Sequence, residues 1–316
     1  MGESSRTESP MDYGLLALLG ILLGIPYALT KISQTTIPPL TGVAARVLLS
    51  AIVLWVFVFM SRTKLSMPGS CVRRLFFQGF ISCVIPYTLI AYGQTTVNSA
   101  LAAILNSTTP LFVCVVSLLW TRHESLTPGR LVGVWVGLSG VILIAGVNSL
   151  TGLGQDTFGQ AAIILASAAS AVAAVQGRRL NDVAPELAAA GTLTCGAIIL
   201  VPLCFVVEAP LHSTPSVGSI TALLINAFVA TALRSVIYFR LLRTIGSMAT
   251  TSVSYFKPAV GVLIGFTLMG EEPTWAAAIG LLAIFLGVAV ISKPKSSSPS
   301  WLIPQFVQRA IPTPSA

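Results

Sequence analysis

Four basic side chains interrupt stretches that otherwise hold almost no charge: Lys31, Arg46, Arg234 and Lys257. A charge left alone at the centre of a bilayer costs at least about 2.5–3.5 kcal/mol, so each needs a partner, a route to the surface, or water. Lys31, Arg46 and Arg234 stand close enough to a span end for their long side chains to reach headgroups, and a cavity suits them equally. Lys257 stands about eleven residues from the inner end of its run, roughly 17 Å at 1.5 Å per residue, which is about half a membrane. That depth points to a water-lined cavity in which the ammonium meets Tyr255, Tyr238 or an incoming substrate anion.

Two polar, proline-containing stretches fall at the same mid-depth. One is Asn106-Ser107-Thr108-Thr109-Pro110; the other is Ser254-Tyr255-Phe256-Lys257-Pro258. Each proline lacks a backbone donor and frees the carbonyl four residues earlier, on Asn106 and on Ser254. In hydrocarbon such a group must meet a nearby hydroxyl or a wet cavity, and the residues allow either. Tyr27 and Tyr87 each follow an Ile-Pro pair and are further candidates to line the same space. The candidate substrate-binding set is therefore Lys257, Asn106, Ser107, Ser254, Tyr255, Arg46, Arg234, Tyr27 and Tyr87.

Enzyme chemistry finds little support. The chain has no GxxxxGK[ST] nucleotide loop, no HExxH and no GxSxG. His123 and His212 are isolated, and the five cysteines show no metal-ligand spacing. No metal site and no cofactor is expected. No Asp or Glu lies deep in an apolar run, so the carboxylate relay of many proton- or sodium-coupled carriers is not visible.

The elements that must position these residues are apolar helices. Only 9% of the 316 residues are charged and 54% are hydrophobic, with a mean hydropathy of +0.87. Apolar runs fall at about 14–30, 40–60, 75–93, 98–120, 131–149, 158–177, 187–207, 217–239, 246–269 and 274–292. Each approaches the ~20 residues that cross a ~30 Å hydrocarbon core. The spacing predicts an all-α polytopic membrane protein with ten transmembrane helices and no separate soluble catalytic domain. The net charge of +8 does not indicate nucleic acid, because the basic residues alternate by loop instead of gathering on one surface. Arg62 to Arg74, Arg122 and Arg130, Arg178 and Arg179, and Arg240 and Arg243 occupy alternate connections. Asp156, Glu208, Glu271 and Glu272 occupy the others. By the positive-inside rule both termini are cytoplasmic.

One hydrophobic pattern occurs twice. Glu124, Gly133 and Gly140 recur as Glu271, Gly280 and Gly287 at one constant separation, with Pro110 and Pro258 displaced by a single residue. Five spans per copy is an odd number, so the copies must insert upside down to each other, a 5+5 inverted repeat. Glu124 lies in a basic loop and Glu271 in one without basic residues, as that requires. Such repeats build two alternately open gates around one central site. Glu124 and Glu271 read as helix-end residues, and with Pro110 and Pro258 they are the structural or gating candidates. The bounds are an N-terminal tail at 1–11, a first half at 12–147, an extracytoplasmic linker at 148–156, a second half at 157–292, and a disordered Ser- and Pro-containing tail at 293–316. Gly129, Gly133 and Gly137 on span five form a packing face, and span five or span ten is a candidate homodimer surface.

These residues resemble the drug/metabolite transporter superfamily, in particular its EamA-like ten-helix group. The resemblance covers about residues 12–292. It is most specific from Ala232 to Ser292, with Tyr238-Phe-Arg-Leu-Leu, Pro258, Gly270-Glu271 and Gly280 to Gly287. The stretch from Ala100 to Ile144 resembles the same unit. The resemblance implies two EamA-like five-helix repeats in which helices one to four and six to nine surround a central cavity, with helices five and ten as peripheral scaffold. Lys31 and Arg46 match positions often basic in that family. Arg234 and Lys257 depart from it, and so does Gly24-Ile-Pro26 in span one, which suggests a more anion-friendly cavity.

The expected function is a secondary transporter in the cytoplasmic membrane, moving a small metabolite such as an amino acid or organic anion by alternating access. Efflux of neutral or drug-like solutes is the alternative if the basic groups pair internally. A membrane-embedded enzyme is the remaining one.

Overall fold

Proline, small polar caps and long apolar runs set the helices of this chain. The computed structural model describes residues 10–62, 69–97, 99–120, 128–149, 156–208, 210, 214–256, 260 and 275–292. Helices α1 (Pro10–Ser33) and α2 (Pro39–Met60) are followed by α3 (Gly69–Gly79), a π-helical turn (Phe80–Val84) and α4 (Ile85–Thr96). After them come α5 (Ser99–Asn106), α6 (Thr109–Trp120) and α7 (Pro128–Ser149). The remainder comprises α8 (Thr157–Gly177), α9 (Pro185–Val207), α10 (Val217–Ala227), a second π-helical turn (Phe228–Leu233), α11 (Arg234–Thr244), α12 (Gly246–Ser252) and α13 (Trp275–Ser292). No strand occurs among the described residues.

Local chemistry explains the boundaries. Pro39 and Pro185 open α2 and α9, where a missing N–H costs nothing. Asp156 accepts from the amide of Gly159, and Ser216 from that of Ser219, capping α8 and α10. The turn between α11 and α12 passes through Gly246 at φ 87°, a left-handed backbone that glycine enters freely.

Six of these segments are long and apolar enough to cross a membrane: Met11–Ser33, Pro39–Met60, Cys71–Thr96, Thr157–Leu180, Pro185–Val207 and Val217–Thr244. Shorter apolar helices occupy Leu101–Ser117, Leu131–Leu143 and Leu282–Ile291. Large apolar side chains such as Phe59, Leu119, Trp135, Val206 and Phe285 face outward. That pattern suits lipid and not water, and the protein is a multi-pass membrane protein.

Packing relies on absent side chains, because lipid offers little hydrophobic drive for one helix to seek another. The α7 and α13 helices run together with Gly140 against the Gly280 carbonyl and Gly133 against that of Gly287. Of the glycine face expected on span five, Gly133 and Gly137 are met by α13 within the same chain and Gly129 is open. At the end of the bundle that carries Pro10, Arg74 on α3 bonds both carboxylate oxygens of Asp182 at 3.0 and 2.6 Å. This contact holds the Asp182 carboxyl below the usual carboxylate range. Because the folded value is the lower one, the stabilisation is present above the unfolded value and is lost as pH falls through the folded value. Both groups are partly exposed, so the pair contributes at most about 1 kcal/mol.

A Cβ at Gly287 would stand 2.6 Å from the Gly137 nitrogen and 2.7 Å from the Gly133 oxygen, both rigid backbone. Gly287→Leu should therefore lower stability in detergent by about 1–3 kcal/mol. Gly129→Ala, with nothing within 4 Å of the new methyl, should leave thermal unfolding unchanged or slightly raised.

Candidate functional site

A cavity of about 140 Å³ lies among α1, α2, α4, α8, α9, α11 and the junctions of α5 with α6 and of α12 with the turn after it. Several hydroxyls and amides line it, along with two guanidiniums. Of the residues singled out from sequence, Tyr27, Arg46, Tyr87, Asn106, Arg234 and Ser254 line this one space. They come from six different helical segments, so a bundle is required to assemble them.

The charged centre is Tyr87 with its two arginines. The Arg46 guanidinium carbon lies 4.4 Å from the Tyr87 ring centroid and that of Arg234 lies 5.6 Å away. An Nη2 hydrogen of Arg234 is donated to the Tyr87 hydroxyl. Arg46 is only 8% exposed, so it does not run out to headgroups. The Nε atoms of both arginines are buried without a hydrogen-bond partner. The Arg74–Asp182 ion pair, between α3 and the turn before α9, does not reach this centre. A desolvated cation over a tyrosine gains about 2 kcal/mol. That offsets only part of the ~2.5–3.5 kcal/mol each buried arginine costs. The remainder is available to an anion.

Two π-helical turns present this centre. Pro86 and Tyr87 follow directly on the turn at Phe80–Val84, and Arg234 follows directly on the turn at Phe228–Leu233. A π turn widens the helix and leaves carbonyls poorly served, a local cost commonly found at functional sites. Side chains meet those carbonyls here. The Thr231 hydroxyl donates to Asn226 O at 2.8 Å, and the buried Ser50 hydroxyl donates to Ala227 O at 2.8 Å.

The proline-freed carbonyls are likewise met by hydroxyls. The chain breaks between α5 and α6, where the Thr109 hydroxyl donates to Asn106 O at 2.7 Å. Ser107 donates to Ser254 O at 2.9 Å, so the two polar stretches touch each other directly. The Asn106 amide is bonded across to Ser167 on α8 at 3.2 Å. Ser107 is fully buried in this bridge and does not line the cavity. Tyr255, at 0% exposure, points to α7 and donates to Val134 O at 3.1 Å, away from the cavity. Pro110 opens the first turn of α6. Lys257, Pro258, Glu124 and Glu271 lie outside the described residues.

Sequence reasoning missed the polar closure at the end of the bundle opposite Pro10. The Lys31 ammonium donates to Gln94 O at 2.7 Å, and the Gln34 amide to Ala91 O at 3.0 Å. Thr36 donates to Ser219 at 2.8 Å. Glu208, at the end of α9, accepts from Leu40 N, Thr41 N and the Thr41 hydroxyl at 2.9, 2.7 and 2.9 Å, and from the Tyr92 hydroxyl at 2.9 Å. The first turn of α2, headed by Pro38 and Pro39, has no cap from its own side chains. Glu208 supplies that cap from a distant helix, where the helix dipole favours a carboxylate. An acidic residue facing an uncapped Pro-Pro helix start was the available signal. No group of three or more His, Cys, Asp or Glu able to hold a metal occurs among the described residues.

The EamA-like transporter family model matches residues 12–146 and again 157–293. The chain is 24% identical over 280 residues to "Uncharacterized transporter YoaV" of Bacillus subtilis, covering 87% of this chain and 94% of that protein. It is 25% identical over 290 residues to "Uncharacterized inner membrane transporter YedA" of Escherichia coli, covering 91% and 92%. A solved crystal structure shares the fold with a TM-score of 0.71 at 19% identity, over 89% of this chain and 96% of its own.

Removing the Glu208 carboxylate strips the cap from α2. In Glu208→Ala the amides of Leu40 and Thr41 should exchange with deuterium faster, with stability lower by about 1–2 kcal/mol. Unchanged exchange at those two amides would mean that solvent caps this helix.

Proposed function

The chain belongs to the EamA-like transporter family, and from that premise we propose a secondary transporter that carries a small organic anion across the cell membrane by alternating access. The observation that carries the anion is Arg46: a buried guanidinium on the wall of the central cavity whose Nε has no hydrogen-bond partner. Arginine stays protonated in proteins, so the charge cannot be shed to suit an apolar pocket. Arg234, Tyr27, Tyr87, Asn106 and Ser254 complete the binding surface, and Lys257 is a further candidate cation from its sequence position.

Alternating access rests on ten spans in two inverted halves, 12–147 and 157–292, with both termini cytoplasmic. Several features support this arrangement. The family model matches twice. Each half carries a π turn in its third span, before Tyr87 and before Arg234. Ser107 and Ser254, bonded across the bundle, stand at the same separation as Glu124 and Glu271. The loop charges alternate in the matching sense. In this reading Pro110 and Pro258 set the hinge of each half, and Glu124 and Glu271 end the helices that follow. A homodimer would use the outward side of α7 or α13, where Trp135 and Phe285 are exposed.

Efflux of neutral or drug-like solutes requires the cavity cations to be paired internally. Arg234 is held by Tyr87, but among the described residues Arg46 meets the face of that ring and leaves its Nε unbonded, and this favours the anion. The family and the names of its relatives point to transport and away from enzymatic work.

In proteoliposomes the wild type should accumulate a labelled organic anion from a mixed metabolite pool, and Arg46→Ala should reduce that uptake at least tenfold while inserting normally. Equal uptake by the two would remove the anion reading. Labelling from outside the cell should reach a cysteine placed at Glu271 or Glu272 and not one placed between Arg122 and Arg130. The reverse pattern would overturn the inverted arrangement.

A further inference from the structure

We infer that Arg46 and Arg234 act as one clamp for a small substrate bearing two negative charges, a dicarboxylate or a phosphate monoester. This rests on the transporter reading and narrows its substrate.

The charge count leads to that conclusion. Every acidic residue among the described ones stands outside the cavity. Asp12 and Glu186 occupy first turns of α1 and α9, Asp156 caps α8, Asp182 is bonded to Arg74, and Glu208 is committed to α2. None of them lines the cavity. Among the described residues the two guanidiniums therefore face the cavity without an internal carboxylate counter-ion. The unfilled site carries two positive charges in a low-dielectric wall. A single carboxylate neutralises one and leaves the other exposed to the full cost of burial.

Geometry lets one small molecule serve both. Both guanidinium carbons lie within 5.6 Å of the same Tyr87 ring, and both Nε hydrogens are buried and unclaimed. Planar guanidinium forks pair with carboxylate and phosphoryl oxygens through two parallel bonds, which suits either kind of dianion. The space of about 140 Å³ restricts the occupant to a small metabolite. Thr109, Thr251 and Ser254 offer hydroxyls beside it for a polar backbone or a hydroxyl of the ligand.

The test compares succinate with its monoamide succinamate, which is nearly the same shape with one charge fewer. Glycerol 3-phosphate and alanine complete the set. Binding is read by thermal shift of the purified protein at pH 7.5, and uptake in proteoliposomes. At least one of succinate and glycerol 3-phosphate should bind, and which one does separates dicarboxylate from phosphate monoester. If it is succinate, it should bind about a hundredfold more tightly than succinamate, the equivalent of one uncompensated buried charge. If it is glycerol 3-phosphate, lowering the pH below its second pKa of ~6 converts the dianion to the monoanion, and binding should weaken by up to about tenfold per pH unit. Arg46→Gln and Arg234→Gln should each erase the preference for the doubly charged form. Arg46→Lys, which keeps the charge, should retain it, and gel filtration confirms that each variant is folded. The inference falls if neither dianion binds, if the monoanion binds as well as the dianion, or if the Gln variants keep the preference. Alanine uptake without dianion binding would sink the clamp and leave the transporter standing. Selective dianion binding without any uptake would leave the clamp standing and sink the transporter.

Discussion

Inside hydrocarbon every backbone carbonyl and every charge must be met by the protein itself, and this bundle is organised around the places where that is hardest. Prolines and π turns leave carbonyls open at Asn106, Asn226, Ala227 and Ser254. Hydroxyls of Thr109, Thr231, Ser50 and Ser107 close them one by one. The outcome is a set of irregular helices whose backbone needs are settled locally. What stays unsettled is charge, at Arg46 and Arg234, and that is where the cavity lies.

Packing follows the same division. The α7–α13 pair is built from glycine against carbonyl, a close approach that holds two helices without polar glue. The helices that line the cavity use longer-range polar contacts in addition, such as Trp55 to Thr194 between α2 and α9 at 2.9 Å. A flank of tightly fitted apolar helices thus stands beside a lining of polar, irregular ones.

Much of this was legible in the residues. Six long apolar segments and the cations Arg46 and Arg234 stand out because charge is rare in apolar runs; six of the nine cavity candidates line one space, and Lys257 lies outside the described residues. The direction of a side chain was less legible. Tyr255 looked like a cavity residue but is drawn to Val134 and Gly137 on α7, a partner more than a hundred positions away. Ser107 was chosen for its polarity and turns out to be consumed by a carbonyl. The π turns carry no sequence mark, since nothing in Phe80-Ile-Ser-Cys-Val announces a wider helix. Glu208 was visible as a loop acid, but its role depends on α2 starting with two prolines and no cap of its own.

That carboxylate has a wider meaning for motion. One side chain gathers four donors from α2 and α4 onto the end of α9, so the three helices that pack along their lengths are also tied together at one end. Spreading the helix ends at this surface would strip all four donors from one carboxylate and break the Lys31, Gln34 and Thr36 contacts beside it, so the ends of α1, α2, α4 and α9 are coupled through shared partners.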